Sequence, residues 1–229
     1  MTSFASAVRA ALLSSSDVTR LPSLRRSNCL FSQDQPADSV YFLEDGLVKL
    51  TRTNGAGGRI ILTIRGPGHL VGDEALAQTN PHYYTEAEVL TPANVYRIPA
   101  PSFSRALMQN GELAAALVTY LLERRLALAE KVELLCLHDV EYRIMYYLAE
   151  LSNLVKHEDG QGYQLPITQL ELADLIGATR ETTSTTLNQL ERRGLLHLSR
   201  RMLTVPSPES LRNAAMAKIS PDRVSAGAV

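Results

Sequence analysis

Thr168-Gln169-Leu170-Glu171-Leu172-Ala173-Asp174-Leu175-Ile176-Gly177-Ala178-Thr179-Arg180-Glu181-Thr182 decides how this chain is read. Thr168 with Glu171 three residues on is a capping box: hydroxyl and carboxylate satisfy two backbone donors at a helix start. The apolar run ends at Ile176, and Gly177 stops the helix, because a left-handed residue costs little there. Ala178 completes the turn, and Thr179 caps a second helix expected from Arg180 to about Arg193. Leu170, Ala173, Ile176, Leu187 and Leu190 are expected to form the apolar seam between the two helices. A short helix, a glycine turn and a second helix make a helix-turn-helix.

The second helix opens Arg180-Glu181-Thr182-Thr183-Ser184-Thr185-Thr186, with nothing large and apolar, as suits a helix lying in a groove. Arg180 can donate two bonds to guanine, and Glu181 can accept from cytosine. The hydroxyls of Thr182, Thr183, Ser184 and Thr185 suit phosphate and thymine contacts. Gly194 to Val205 then reads as a two-stranded hairpin, a wing with Arg200 and Arg201 at its tip. Between residues 176 and 205 five arginines face two glutamates, a local charge of +3 on a chain of net charge −1. Basic charge gathered at one motif is the electrostatic footprint of double-stranded DNA binding. The candidate DNA contacts are Thr168, Gln169, Thr179, Arg180, Glu181, Thr182, Ser184, Thr185, Arg200 and Arg201.

Before this motif, Asp139 is a good N-cap for a helix running to about Val155, and a polar connection, Lys156 to Gly162, leads to a short strand near Tyr163–Leu165. Glu112 to Leu137 contains no proline or glycine and reads as one long helix. Ala114, Val118, Leu121, Arg125, Leu128, Val132 and Leu135 fall on it at spacings alternating four and three, a stripe that can pair with a second copy. Ser102 is expected to cap a short helix ending at Gln109, with Asn110-Gly111 breaking it. Residues from Cys29 to Ile98 read as short strands, Val40–Leu43, Leu47–Thr51, Ile60–Ile64 and Ala93–Ile98, separated by glycine-rich turns, as in a barrel or roll. Met1 to Leu13 reads as a short amphipathic helix rather than a secretory signal, and Ala217 to Val229 is expected to fray.

The fold class is therefore α+β. Residues 1–110 form a β-roll effector-like domain, 111–138 a dimerisation helix, 139–212 a winged helix-turn-helix and 213–229 a tail. With 45% apolar and 21% charged residues, the 229-residue chain has the composition of a folded protein. Its two cysteines, Cys29 and Cys136, exclude a disulfide scaffold and any four-cysteine metal or iron–sulfur site. No apolar stretch reaches the roughly 20 residues of a membrane span, so a cytoplasmic protein with no membrane partner is expected. Enzyme chemistry finds no support. His157-Glu158-Asp159 lacks a second histidine at helical spacing, and Gly66-Pro67-Gly68 lacks the lysine of a phosphate-binding loop.

On these motifs the chain resembles the Crp/Fnr family of bacterial transcription regulators over nearly its whole length. Ile167 to Thr182 matches the family's helix-turn-helix signature, while Glu130-Lys131-Val132 and Leu137 to Val140 resemble the end of its dimer helix and its hinge. Ser39 to Gly46 and Pro67 to Glu74 resemble its cyclic-nucleotide-binding roll. The resemblance implies a homodimer whose recognition helices read a near-palindromic site, with half-sites about 34–36 Å apart. It also implies that the loop Lys156–Gln164 touches RNA polymerase.

The effector site departs from the family pattern. Gly72 and Asp73 are kept, but the Arg-Ser pair that grips the cyclic phosphate in cyclic-AMP-binding members is replaced by Tyr83 and Tyr84. Leu128 and Ala129 stand where such members carry hydroxyls for adenine. A phenol offers neither the charge nor the two-pronged donation of a guanidinium. Thr185 also replaces a second recognition-helix arginine that members reading a TGTGA-type half-site carry. Heme through His69, His82 or Cys29 is the weaker reading, a lone histidine in a roll being structural, so no cofactor or metal is expected. The expectation is a sequence-specific transcription activator that works without cyclic AMP and without a required effector. The alternative is a regulator whose roll answers to another nucleotide or to 2-oxoglutarate.

Overall fold

The computed structural model describes residues 3–12, 15–77, 79–155, 157–158, 162–199 and 202–219. The chain divides into two compact units, Met1–Ala129 and Glu130–Val229. The division falls inside the longest helix.

The first unit opens with α1 (Phe4–Leu12), followed by β1 (Thr19–Arg20), β2 (Cys29–Phe31), β3 (Ser39–Asp45), β4 (Val48–Thr53), β5 (Arg59–Arg65) and β6 (Leu70–Val71). A 3₁₀ turn (Asp73–Leu76), β7 (Glu86–Val89), β8 (Asn94–Pro99) and α2 (Ala100–Gln109) complete the roll, and α3 (Gly111–Leu137) leaves it. Two four-stranded antiparallel sheets form, β1-β8-β3-β6 and β2-β7-β4-β5. β3 is buried from Ser39 to Leu43 without alternation, because apolar side chains cover both of its faces. Val8, Leu12, Phe103, Leu113, Leu117 and Tyr120 from the helices join the strands in one apolar cluster. Gly46 turns β3 into β4 at φ 83°, where a Cβ would lie 2.4 Å from the Pro92 carbonyl.

One local expectation needs correction here. α2 starts at Ala100 after Pro99, and the Ser102 hydroxyl donates to Asp17 (2.8 Å) instead of capping the helix. Asn110 breaks α2 as expected, standing in extended conformation after Gln109. Its Oδ1 accepts from Leu113 N–H (3.1 Å), so α3 begins at the next residue.

α3 also turns its faces differently from the even stripe. Leu113, Leu117 and Tyr120 are buried in the first unit, and Lys131 and Leu134 in the second. Ala114 and Leu135, at the ends of the expected stripe, are half-buried, while Val118, Leu121, Arg125, Leu128 and Val132 are exposed. Leu122 and Leu126 are exposed as well, so the outward apolar face is broader and centred on Val118, Leu122, Arg125, Ala129, Val132 and Cys136.

The second unit holds α4 (Val140–Ser152), β9 (His157–Glu158), β10 (Gly162–Leu165), α5 (Gln169–Ile176), α6 (Arg180–Arg192), β11 (His197–Leu198), β12 (Leu203–Val205) and α7 (Pro208–Ile219). The strands form one antiparallel sheet, β11-β12-β10-β9. Asp139 caps α4 by accepting from Tyr142 N–H (2.9 Å). The expected tail is helical as far as Ile219: Leu211 and Ala215 are buried, and Lys218 bonds Asp139 (2.6 Å) and Glu141 (2.7 Å). Residues 220–229 of that tail, and Met1, Thr2 and Leu13 of the expected first helix, lie outside the described residues.

Candidate functional site

The capping box forms as its sequence dictates. Thr168 Oγ1 accepts from Glu171 N–H (3.1 Å) and donates to Glu171 Oε2 (2.9 Å), which also accepts from Thr168 N–H (2.9 Å). The Thr168 hydroxyl is thus spent within the protein, leaving the neighbouring Gln169, half-buried, as the side chain at that end. Gly177 closes α5 at φ 63° with Leu135 packed against it, where a Cβ would come within 2.9 Å of Leu135 Cδ2.

Two cations hold the same end. Lys131 Nζ donates to the Leu175 carbonyl (2.8 Å) and Arg143 Nη1 to the Ile176 carbonyl (2.7 Å). A helix C-terminus carries partial negative charge and unsatisfied carbonyls, so both contacts are favourable. Burial holds the Lys131 amine down to about 8, while its ammonium sits 4.9 Å from the centre of the Tyr147 ring.

α6 starts where Thr179 Oγ1 accepts from Thr182 N–H (3.1 Å) and pairs with the Thr182 hydroxyl (2.9 Å). Its residues then separate by helical period. Thr183, Thr186, Leu187 and Leu190 are buried. The Thr183 hydroxyl donates to the Thr179 carbonyl (2.8 Å) and that of Thr186 to the Thr182 carbonyl (2.9 Å). The polar opening therefore does have a buried face, built from two threonine methyls and two leucines, and Thr183 is no groove contact. Leu170 is 50% exposed and leaves the seam; Leu172 and Leu175 join Ala173 and Ile176 among the buried residues of α5 instead.

Arg180, Glu181, Thr182 and Thr185 are exposed, with Ser184 half-buried beside them. Asn188 and Gln189 continue this face and escaped the sequence reading, and Arg192, counted there only for its charge, continues it too. Continuing the period of Glu181 and Thr185 by three and seven residues finds Asn188 and Arg192. Among the described residues Arg180 and Arg192 carry no ion pair, whereas Arg193 is tied to Glu141.

The wing is anchored to this helix. Leu198 N–H donates to Glu191 Oε1 (2.7 Å), and β11 pairs with β12 through His197↔Thr204 and Leu198↔Leu203. Ser199 closes toward Met202 through its N–H (3.1 Å) and hydroxyl (2.8 Å). Arg200 and Arg201 lie outside the described residues, as do Lys156 and residues 159–161 of the preceding polar loop.

In the roll, of the five residues assigned to the effector region, Gly72 and Tyr83 come together, while Asp73, Tyr84 and Leu128 face elsewhere. Gly72 has φ 78°, and a Cβ there would meet Tyr83 Cε1 at 3.0 Å and Phe31 Cε1 at 3.1 Å. The Tyr83 ring fills the space over Gly72, stacked 3.9 Å from Phe31, with its hydroxyl donating to the Ser39 carbonyl (2.7 Å) and accepting from Ser39 N–H (3.3 Å). Burial raises its phenol above the ordinary value. Tyr84 turns outward instead, its ring 4.5 Å from the Arg52 guanidinium. Asp73 is bonded to Arg124 of α3.

Leu128, more than half exposed, lines a separate cavity of about 90 Å³ with Leu62, Thr63, Arg65, Arg124 and Ala127. Next to it Tyr120 bonds both backbone groups of Leu70, accepting from N–H (3.1 Å) and donating to C=O (3.2 Å). His69, 5.7 Å from the Tyr120 ring, is held down to about 4 by burial first and then by Arg65 and Arg124. Arg65 and Arg124 went unnoticed in the sequence; the available signal was a lone arginine ending the apolar run Ile60–Ile64.

Among the described residues no group of three or more His, Cys, Asp or Glu could hold a metal, and no helix is long and apolar enough to cross a membrane.

Residues 21–110 match the cyclic nucleotide-binding domain family, and residues 142–214 the Crp-like helix-turn-helix domain family. The chain is 28% identical over 189 residues to the global nitrogen regulator of Nostoc sp., covering 81% of this chain and 85% of that one. It is 24% identical over 192 residues to the CRP-like cAMP-activated global transcriptional regulator of Mycobacterium tuberculosis, covering 83% and 85%. Among solved structures, a CRP/FNR-family transcriptional regulator from Thermus thermophilus aligns with a TM-score of 0.69 at 25% identity, over 85% of this chain and 97% of that one.

Proposed function

This chain belongs to the Crp/Fnr family of transcription regulators, and on that premise we propose that two copies of it bind a near-palindromic DNA site and activate transcription without cyclic AMP. The observation that carries the reading is the division of α6. Its leucines and two of its threonines are buried, and Arg180, Glu181, Thr185, Asn188, Gln189 and Arg192 are turned outward as one polar face. Such a face fits the major groove: arginine to guanine, asparagine or glutamine to adenine, glutamate to cytosine. The N-terminal amides of α6 and the wing arginines Arg200 and Arg201 are assigned to phosphate, which positions without reading sequence.

Homodimerisation is assigned to the outward apolar face of α3, contact with RNA polymerase to the loop Lys156–Gln164, and the work to the cytoplasm. Independence from cyclic AMP is supported by Tyr83, whose ring occupies the space over Gly72 and whose hydroxyl is committed to Ser39. A cyclic phosphate there meets an aromatic face in place of a guanidinium.

Binding-site selection from random DNA, run with and without cyclic AMP, yields the same motif both times under this reading. On the selected site, Arg180→Ala is expected to cost about 1–3 kcal/mol and to leave nonspecific binding nearly intact. Equal losses on specific and random DNA in a gel-shift titration reject base readout by Arg180. A second reading, in which the roll answers to another small molecule, is favoured by the Arg65 guanidinium, which makes no hydrogen bond or ion pair with any described residue.

A further inference from the structure

The start of α4 reaches three other helices. Arg143 donates to the last carbonyl of α5, Glu141 meets α6 and α7, and its cap Asp139 meets α7. α7 runs antiparallel along α4. Arg212 Nη2 lies 3.4 Å from Glu150 and Asn153 near the end of α4, and Lys218 reaches Asp139 and Glu141 at its start. Asp139 and Glu141 precede the residues that match the helix-turn-helix family, 142–214, and Lys218 follows them. The helix-turn-helix is therefore closed by a contact made outside the matched motif.

Glu141 divides its carboxylate between two helices. Oε1 accepts from Nη1 of Arg193, the C-cap of α6, and Oε2 accepts from Lys218 Nζ (2.7 Å). The same ammonium donates to Asp139 Oδ2 (2.6 Å), while Asp139 Oδ1 caps α4. The Lys218 bond does most to hold the Glu141 carboxyl below its ordinary range; burial opposes it, and the Arg193 bond adds to it. Isolated pairs at a surface contribute little to stability, because two long side chains must be ordered to make them. A carboxylate bonded on both oxygens by different helices acts on position instead, since it cannot follow one partner without straining the other. Leu187 and Leu190 set the rotation of α6 about its axis, and its tilt depends on where its last turn is held. α6 has 13 residues and is about 20 Å long, so a shift at Arg193 carries to Arg180 and Glu181 at its other end. Hydrogen bonds to base edges weaken steeply with such misalignment.

We propose that Lys218 is a positioning residue for DNA reading: through Glu141 it fixes the last turn of α6 against the start of α4, and α7 is thereby a working part of the reading unit. This rests on the reading of α6 as the recognition helix and adds to it a specificity-determining residue that touches no DNA.

The test is competitive gel-shift titration of the full chain on its selected site and on random DNA, with urea unfolding of the same preparations. Lys218→Met is expected to lower the ratio of specific to nonspecific affinity about fivefold, a coupling of the size found within one charge network, while unfolding close to wild type. Lys218→Arg, which keeps the charge and the reach to both carboxylates, is expected to restore the ratio. Arg212→Met removes a pair of the same kind between α7 and the far end of α4 and is expected to leave the ratio unchanged. Glu141→Gln is expected to lower it at least as far as Lys218→Met, and the double variant to lower it no further. The proposal is overturned if Lys218→Met keeps the wild-type ratio, if Arg212→Met lowers it equally, or if the effects at 141 and 218 add in full. A fall that only tracks a lost folded fraction overturns it too. Equal losses on both DNAs with a flatter salt dependence make Lys218 a phosphate contact and have the same consequence. The wild-type titration separates the two readings: no specific binding removes the reading of α6 itself, whereas specific binding that Lys218→Met retains removes only the role of Lys218.

Discussion

Arg65 of the first unit and the two cations behind α5 in the second are held in opposite ways. In the second, the Lys131 ammonium and an Arg143 nitrogen end on the carbonyls of Leu175 and Ile176, at the C-terminus of α5. In the first, Arg65 ends on nothing, and His69 beside it has a ring nitrogen without a partner. A cation on a helix C-terminus fixes a position, here the turn from which α6 departs. A cation without a counter-charge fixes nothing and leaves free energy to be recovered on binding. The contrast is between cations that end on backbone carbonyls and one whose Nε does not.

The largest expected effect tests the packing of the second unit. Leu190→Ala deletes a fully buried side chain where α6 meets the rest of its unit and is expected to cost about 2–5 kcal/mol of stability. Leu170→Ala, on the exposed side of α5, is expected to stay within about 0.5 kcal/mol. Urea unfolding of both variants measures the difference. Equal losses return Leu170 to the seam and contradict the packing described here.

The next effect belongs to the roll and is read against pH. His69 titrates at about 4 in the folded chain and near 6.5 in an unfolded one, so between those values the unfolded state binds more protons. Stability is therefore complete above about pH 6.5 and falls as pH drops toward 4, by up to about 3 kcal/mol from this residue. His69→Gln is expected to flatten that part of the stability–pH curve. An unchanged slope in the variant assigns the acid loss to other groups.

What was legible in the sequence follows the same division. The capping box, the αL glycine and the Asp139 cap are local chemistry, and Thr168, Glu171, Gly177 and Asp139 occupy those roles in the structure. The strands around Phe42, Leu50 and Ile61 were equally readable, because β-branched and aromatic runs between glycine turns leave few alternatives. Burial around α6 was harder to read. A threonine at a buried and at an exposed position is the same letter, and only the helical phase, set by Leu187 and Leu190, assigns Thr183 inward and Thr185 outward. Arg65 was hidden for a different reason. Its meaning depends on Arg124, 59 positions away, and such a pair is brought together by the fold alone. On α3 the expected stripe keeps Val118, Leu121, Arg125, Leu128 and Val132 exposed, while the buried line, Leu113-Leu117-Tyr120 then Lys131-Leu134, contains a lysine that no apolar periodicity selects.

A smaller effect tests how the α5 frame is started. Thr168→Ala removes the acceptor for Glu171 N–H and is expected to cost about 1 kcal/mol. Because its hydroxyl is already committed to Glu171, the loss is expected in unfolding and not in the salt dependence of DNA binding. A flattened salt slope in Thr168→Ala, with unchanged stability, makes this residue a phosphate contact after all.

The finest distinction is between two neighbours on one helix, Thr183 and Thr185. Thr183 is fully buried, with its hydroxyl donating to the Thr179 carbonyl, a carbonyl that also accepts from Thr183 N–H (3.0 Å). Thr183→Val keeps the shape and leaves that carbonyl satisfied, so it is expected to change stability by less than about 1 kcal/mol and DNA affinity hardly at all. Thr185 is exposed on the outward face, so Thr185→Val is expected to leave stability within about 0.5 kcal/mol and to alter discrimination at one base pair of the selected site. Denaturation and competitive binding on single-base variants of that site give both numbers for both proteins. If Thr183→Val moves DNA selectivity and Thr185→Val moves only stability, α6 is rotated relative to the phase given by its leucines, and the polar face assigned to the groove is the wrong one.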